Sequence, residues 1–340
     1  MMPEGSQGTN IQRIFVGTNR GKLENGSYGS DRGTDLQFAH VDISIPTDRT
    51  YGEINWPRGA VNPSKDFLTQ EFINYGSNAA FEANLKRDIR NSNSQSGDVY
   101  VYVHGYNNNF SESLYRAAQT KSDYGIQEPL VHFSWPSAGS SLAYIKDRDS
   151  VLASRTIFES FLRSVKRAGA ENIVIMAHSL GTQLTMETYR QVALTDPSAK
   201  SELFGTVILL APDIDVDVFR SQLTDIGSVD TPILVFGTHQ DKVLALSARL
   251  GGGERLGRIS KVSDLNDLQV IVVDVSELTD GKQGDHMTVL ASEDAIDAFG
   301  KLYGVSEDIE TDEFERIGIV PGIILSIQNF SNQLYSFAED

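Results

Sequence analysis

The sequence contains no cysteine, which excludes disulfide scaffolds, thiolate metal sites and a cysteine nucleophile together. Basic residues are also few: 29 Lys and Arg stand against 46 Asp and Glu, for a formal net charge of -17. A field of that sign repels nucleic-acid phosphates and anionic lipid headgroups, so no nucleic-acid partner is expected. No integral membrane segment is expected either. The most apolar stretch of the tail, Ile317 to Ala338, is interrupted by Pro321 and by Gln, Asn and Ser, and reads as a segment that packs on the domain or on a partner. The opening residues, MMPEGSQGTN, have neither the basic segment nor the apolar run of a secretory leader. A soluble protein is expected, cytoplasmic or, with a leader ahead of these residues, periplasmic or secreted. Clustered His and carboxylate ligands at metal-site spacing are missing, so no metal or organic cofactor is expected. The run Gly251, Gly252, Gly253 lacks the Gly-Lys-Ser context of a phosphate loop.

What is present is a chain of 340 residues with 40 % hydrophobic content, enough for one large core. Short β-rich runs alternate with helical patterns, the signature of an α/β fold with a mainly parallel central sheet covered by helices on both faces. The expected strands are Ile14 to Thr18, Leu36 to Ile45, Val99 to Val103, Leu130 to Trp135, Ile173 to Ala177, Thr206 to Ala211, Ile233 to Thr238 and Leu268 to Val273. Several are unbroken apolar runs, as in strands buried on both faces. Val151, Leu152, Ile157, Phe158, Phe161, Leu162 and Val165 recur at helical spacing up to a stop at Gly169. Further helices are expected from Leu180 to about Ala193 and from Glu293 to Leu302. A catalytic domain over 1–304, with insertions near 52–97 and 137–150, is expected to carry a C-terminal extension over 305–340. A homo-oligomer is compatible with this organisation.

The segment Ile173 to Gly181 joins an apolar strand to a helical pattern through His178, Ser179 and Leu180. That is the setting of a nucleophile elbow, where a serine on a strained turn needs small residues two places before and after it. Ala177 and Gly181 meet the demand. A helix-capping serine is the bland alternative. A serine hydroxyl needs a base within reach, oriented in turn by a carboxylate, in the chain order Ser, acid, His. Only His239 and His286 follow Ser179. His239 sits two residues before Asp241 and breaks the order, leaving His286 as the expected base. Asp241 follows a strand at the carboxyl edge of the sheet and is the expected acid. Asp213 and Asp215, at the previous strand's exit, are alternatives, and Asp285 ranks last beside His286. The oxyanion hole needs two backbone N–H groups: Leu180 is expected to supply one and Tyr106, in the turn His104-Gly105-Tyr106, the other. His104, Gly105, Trp135, Tyr144 and His178 are the candidate pocket residues. For His104 the preferred reading is structural support of its turn, and for Trp135 and Tyr144 simple packing weighs equally.

These residues resemble the α/β-hydrolase family catalogued as a domain of unknown function, DUF900, whose members are described as serine esterases. The resemblance runs from about Ile11 to Leu302. It is carried by Thr18-Asn-Arg20, Val103-His-Gly-Tyr-Asn107 with Phe110, Tyr115-Arg-Ala-Ala-Gln119, Phe133-Ser-Trp-Pro-Ser137, Tyr144 with Asp147 and Arg148, Ala177-His-Ser-Leu-Gly181, Ala211-Pro-Asp-Ile-Asp215, and Asp241 with Leu246 and Ser247. It implies alanine at the first elbow position and an acid at the place of Asp241. The expected activity is a serine-dependent carboxylic ester hydrolase, carboxylesterase or lipolytic, acting on a small-molecule ester. A thioesterase or amidase using the same triad, and a non-catalytic binding module on the same scaffold, are the competing readings.

Overall fold

The computed structural model describes residues 10–57, 59–94, 96–229, 233–258, 268, 270–276, 285–287, 290, 292 and 324–327. Its elements in chain order are β1 (Asn10–Lys22), β2 (Tyr28–Ile45), β3 (Leu68–Tyr75), α1 (Asn78–Asn91), β4 (Val99–Val103), α2 (Phe110–Asp123), β5 (Leu130–Ser134), α3 (Tyr144–Arg167), β6 (Ile173–His178), α4 (Leu180–Thr195), α5 (Lys200–Leu203), β7 (Thr206–Leu210), α6 (Val216–Ile226), β8 (Ile233–Gly237), α7 (Lys242–Gly251), β9 (Val270–Asp274) and β10 (Ile324–Ile327). The strands form one sheet in the order β10-β9-β8-β7-β6-β4-β5-β1-β2-β3. Every pairing from β1 through β9 across its centre is parallel. The pairs β1 with β2, β2 with β3 and β9 with β10 are antiparallel. The fold is α/β, with a mainly parallel sheet covered on both faces.

Strand β4, Val-Tyr-Val-Tyr-Val, shows why both faces are dry. Its side chains alternate across the sheet: Val99, Val101 and Val103 join the core built with α1, α3, α4 and α6, while Tyr100 and Tyr102 join the core under α2. All five residues are buried. Helix α2 starts at a reciprocal cap, in which Asn109 accepts from the Glu112 amide and Glu112 from the Asn109 amide. Helix α3 ends before Gly169, which adopts φ +106°.

Three differences from the sequence reading have physical causes. β2 begins at Tyr28 rather than Leu36, because the polar residues after Tyr28 pair with β1 in a hairpin arm that needs no apolar alternation. The segment 52–97, expected as an insertion, supplies β3 and α1, and Phe81 and Leu85 of α1 are wholly buried in the main core. Within 137–150, Tyr144 onward is already the first turns of α3; Asp147 and Ser150 face inward there, so the helix lacks an apolar signature at its start. The helix expected over Glu293 to Leu302 lies outside the described residues. Of 305–340 only β10 is described, and it extends the sheet beside β9.

Phe81 stacks on Phe38 at 4.2 Å between ring centroids and meets Phe15 and Phe161 at 5.9 and 6.1 Å. Phe81→Ala is expected to cost about 3–5 kcal/mol in urea denaturation. A loss below about 1 kcal/mol would mean that α1 is an ornament and not part of the core.

Candidate active site

Parallel strands end at one edge of the sheet, and the loops leaving them there are free to gather side chains. Ser179 follows β6 at that edge. Its backbone adopts φ 51° and ψ -123°, a conformation that costs a non-glycine residue roughly 1–3 kcal/mol and persists only where the surroundings hold it. They do so through both peptide groups. The Ser179 amide donates to Leu210 O at 2.9 Å, continuing the pairing with β7. The Ser179 carbonyl accepts from the Thr182 amide at 3.0 Å, the Thr182 hydroxyl at 2.6 Å and the Asp213 amide at 3.3 Å. Close packing enforces glycine on either side. A Cβ on Gly181 would lie 2.4 Å from His104 O, and one on Gly105 would lie 2.8 Å from the Ser179 Cβ. The turn after β4 therefore runs against Ser179. The Ser179 side chain makes no capping hydrogen bond to α4, against the bland alternative.

Asp241 follows β8, is fully buried, and caps α7 by accepting from the Leu244 amide at 2.9 Å. Its second oxygen lies 2.7 Å from His286 Nδ1. A carboxylate only accepts, so Nδ1 carries the proton. His286 is itself largely buried. The His286 ring lies 4.9 Å from that of His178, and His286 O lies 3.4 Å from His178 Nε2. The residue preceding Ser179 thus abuts the His286 turn. Burial, and after it the neighbouring His286, pushes the His178 pKa well below its ordinary value, so His178 is neutral.

Asp213 and Asp215 lie in other interactions. Asp213 accepts from the Tyr144 hydroxyl at 2.9 Å and from Ser247, and pairs with buried Arg255 at 3.3 Å. Asp215 caps α6 and lies 3.9 Å from Arg255. Tyr144 is inside this network, its hydroxyl pKa raised to about 12 by burial and then by Asp213, while its ring meets half-buried Tyr106 edge-on at 5.4 Å. Trp135 is fully buried, so it backs the site rather than lining it: it stacks on His104 at 4.8 Å and donates to His104 O at 2.7 Å. His104 is likewise enclosed and neutral, its pKa lowered mainly by burial and further by Arg20.

Among the described residues, neither the Tyr106 nor the Leu180 amide donates to a protein acceptor. Leu180 directly follows Ser179, and Tyr106 directly follows Gly105, which packs against Ser179. The described group with metal-ligand spacing is His40, Asp42 and Glu71 on β2 and β3. Asp42 there is already held at 2.7 Å by two nitrogens of Arg13, whose charge occupies the place a cation would take.

Among the polar residues behind the turn after β4, the sequence reading named Arg20, Ser137 and Asp147 only as carriers of the resemblance, with no role at the site, and did not name Asn108. The signal that could have exposed them is a charged residue directly following a buried strand, as Arg20 follows the apolar part of β1, where a cation has no reason to stay unless backbone acceptors converge on it.

A family model described as "Alpha/beta hydrolase of unknown function (DUF900)" matches residues 77–301. No curated protein matches the chain in sequence. Among solved structures, it is similar to a hydrolase described as CIB-like from Thermoplasma acidophilum, at 18 % identity and TM-score 0.37, with 62 % of this chain and 87 % of that one covered. It is similar also to esterases from Rhizomucor miehei, at 11 % identity and TM-score 0.40, covering 91 % and 85 %. A siderophore hydrolase from Aspergillus nidulans aligns at 12 % identity and TM-score 0.36, covering 88 % and 96 %.

If the Ser179 backbone is strained, glycine at that position relieves it where alanine does not. Ser179→Gly is expected to unfold at higher urea than Ser179→Ala, by about 1 kcal/mol or more. Equal stability, or a more stable alanine variant, would show that the turn stores no strain.

Proposed function

The chain belongs to the DUF900 family of α/β hydrolases, and on that premise we propose that it is a serine-dependent carboxylic ester hydrolase acting through an acyl-enzyme on Ser179. The observation that carries the reading is the buried Asp241–His286 pair at 2.7 Å, seated against the residue before a serine with φ 51°. A structural histidine would not need a fully buried carboxylate, and a structural serine would not need a strained backbone.

In this reading the Ser179 hydroxyl attacks the ester carbonyl carbon while its proton passes to His286 Nε2. Asp241 holds the proton on Nδ1 and stabilises the imidazolium that forms. The negative charge on the former carbonyl oxygen is met by the Tyr106 and Leu180 amides, which donate to no acceptor among the described residues. His286 returns the proton to the departing alkoxide, and the acyl group stays on Ser179. Water then attacks the acyl carbon, again giving a proton to His286, and the collapse of the second tetrahedral intermediate returns it to Ser179 and frees the carboxylic acid. Thioesters and amides call on the same steps, because the same serine, base and acid perform acyl transfer to any of the three leaving groups.

Turnover of p-nitrophenyl esters separates the roles. Ser179→Ala and His286→Ala are expected to lower kcat by about ten-thousand-fold or more, and Asp241→Asn by on the order of a thousand-fold or more. Unchanged turnover in Ser179→Ala would remove the nucleophile, and a mild Asp241→Asn with a severe Asp213→Asn would transfer the acid's role to Asp213. A panel of oxyesters, thioesters and amides of one acyl group ranks the substrate classes, with oxyesters expected first.

A further inference from the structure

Arg20, at the carboxyl end of β1, is a fully buried guanidinium that pairs with no carboxylate among the described residues. Four of its five N–H groups donate to neutral acceptors, and Nη2 also lies beside neutral His104. Nε donates to Ser134 Oγ at 2.9 Å; Nη1 donates to Gly29 O and Ser137 O at 3.0 and 2.9 Å; Nη2 donates to Asn108 O at 2.9 Å and lies 3.4 Å from His104 Nε2. Burial lowers its pKa to about 9, which leaves it charged at neutral pH. A cation kept dry with only neutral groups in direct contact, and the Asp147 and Glu112 carboxylates acting on it from further off, is costly, so what it holds is informative. It holds both sides of the turn that carries Tyr106.

The decisive group is the peptide joining Gly105 to Tyr106. A trans peptide is planar, with its C=O and N–H pointing in opposite directions. Whatever anchors Gly105 O therefore aims the Tyr106 N–H the other way. Gly105 O is approached by His104 Nδ1 at 2.8 Å and by Asn108 Nδ2 at 3.3 Å. Asn108 Nδ2 also donates to Tyr106 O at 2.8 Å, and the Asn108 amide donates to Ser137 Oγ at 3.2 Å. Ser137 Oγ in turn donates to Asp147 at 2.6 Å. Between them stands Asn107 at φ 57°, a left-handed residue that needs such fixing.

Neutral His104 can place its proton in either of two ways, because Trp135 O lies 3.1 Å from Nε2 just as Gly105 O lies 2.8 Å from Nδ1. Only the Nδ1–H tautomer donates to Gly105 O. The Arg20 N–H directed at Nε2 requires a lone pair there and so selects that tautomer. We propose that Arg20 is a positioning residue for the oxyanion site, fixing the turn at Asn108 O and the His104 tautomer so that the Tyr106 N–H points toward Ser179. This rests on the esterase reading above. Lysine cannot substitute, since it has three donors on one point and no planar fork.

The test compares wild type with Arg20→Lys and Asn108→Ala, measuring thermal unfolding, kcat and KM for p-nitrophenyl acetate, and inhibition by phenylboronic acid, which forms a tetrahedral adduct. In both variants kcat is expected to fall about a hundred-fold, the scale of a displaced reacting group, with KM within about threefold and boronate affinity falling in parallel with kcat. Folded variants with kcat within threefold of wild type, or with the whole loss in KM, would overturn the proposal and leave the esterase reading standing. If Arg20→Lys does not fold, half-exposed Asn108→Ala decides on the same criteria. A folded wild type that turns over no ester would instead overturn the esterase reading, and this proposal with it.

Discussion

The backbone of Ser179 is bent into a conformation a serine avoids, and much of the molecule is arranged to keep it there. The parallel pairing of β6 with β7 supplies the acceptor for its amide, and the first turn of α4 and the loop after β7 supply three donors to its carbonyl. The dry, two-sided packing of β4 and β6 fixes the strands from which these groups project. Strain at a single residue of this size is small against the hydrophobic burial of the core, so a large sheet can hold what a small one could not. The fold serves the site by being stiff where the chain turns from β6 into α4.

A second constraint is that the turn after β4 must come within contact distance of that elbow. Glycine at 105 and 181 makes the approach sterically open. Steric openness does not orient a peptide, however, and orientation comes from buried polar groups behind the turn: Arg20, His104, Asn108 and Ser137. The stacked pair of His104 and Trp135 fills the space between these groups and the sheet. Two kinds of order meet at Ser179, one from apolar packing and one from a satisfied hydrogen-bond network.

How much of this was legible in the sequence follows from what each feature leaves in it. Continuous apolar runs identify the central strands; β4 matches its expected bounds and β6 differs by one residue, His178. The candidate site was proposed from the small residues Ala177 and Gly181 around Ser179 and from the chain order Ser179, Asp241, His286; of these, the φ 51° at Ser179 and the contact of Asp241 with His286 are geometry that the pattern anticipates. By contrast α1 is polar over most of its length and buries only Phe81 and Leu85, too few to announce a core helix. Trp135 was weighed as a pocket residue because an aromatic after a strand can face either way, and only its partner His104 decides. The Arg20 interactions are with backbone carbonyls, which no side-chain pattern records.

The account stands on Ser179 being a reactive nucleophile. The most direct measurement is intact-mass analysis of the folded protein after a fluorophosphonate, followed by peptide mapping of the adduct. A single stoichiometric adduct on Ser179, absent from His286→Ala under the same conditions, is the result this account predicts. A folded protein that takes up no label, or carries it on another residue, would contradict it and favour a binding module on a hydrolase scaffold.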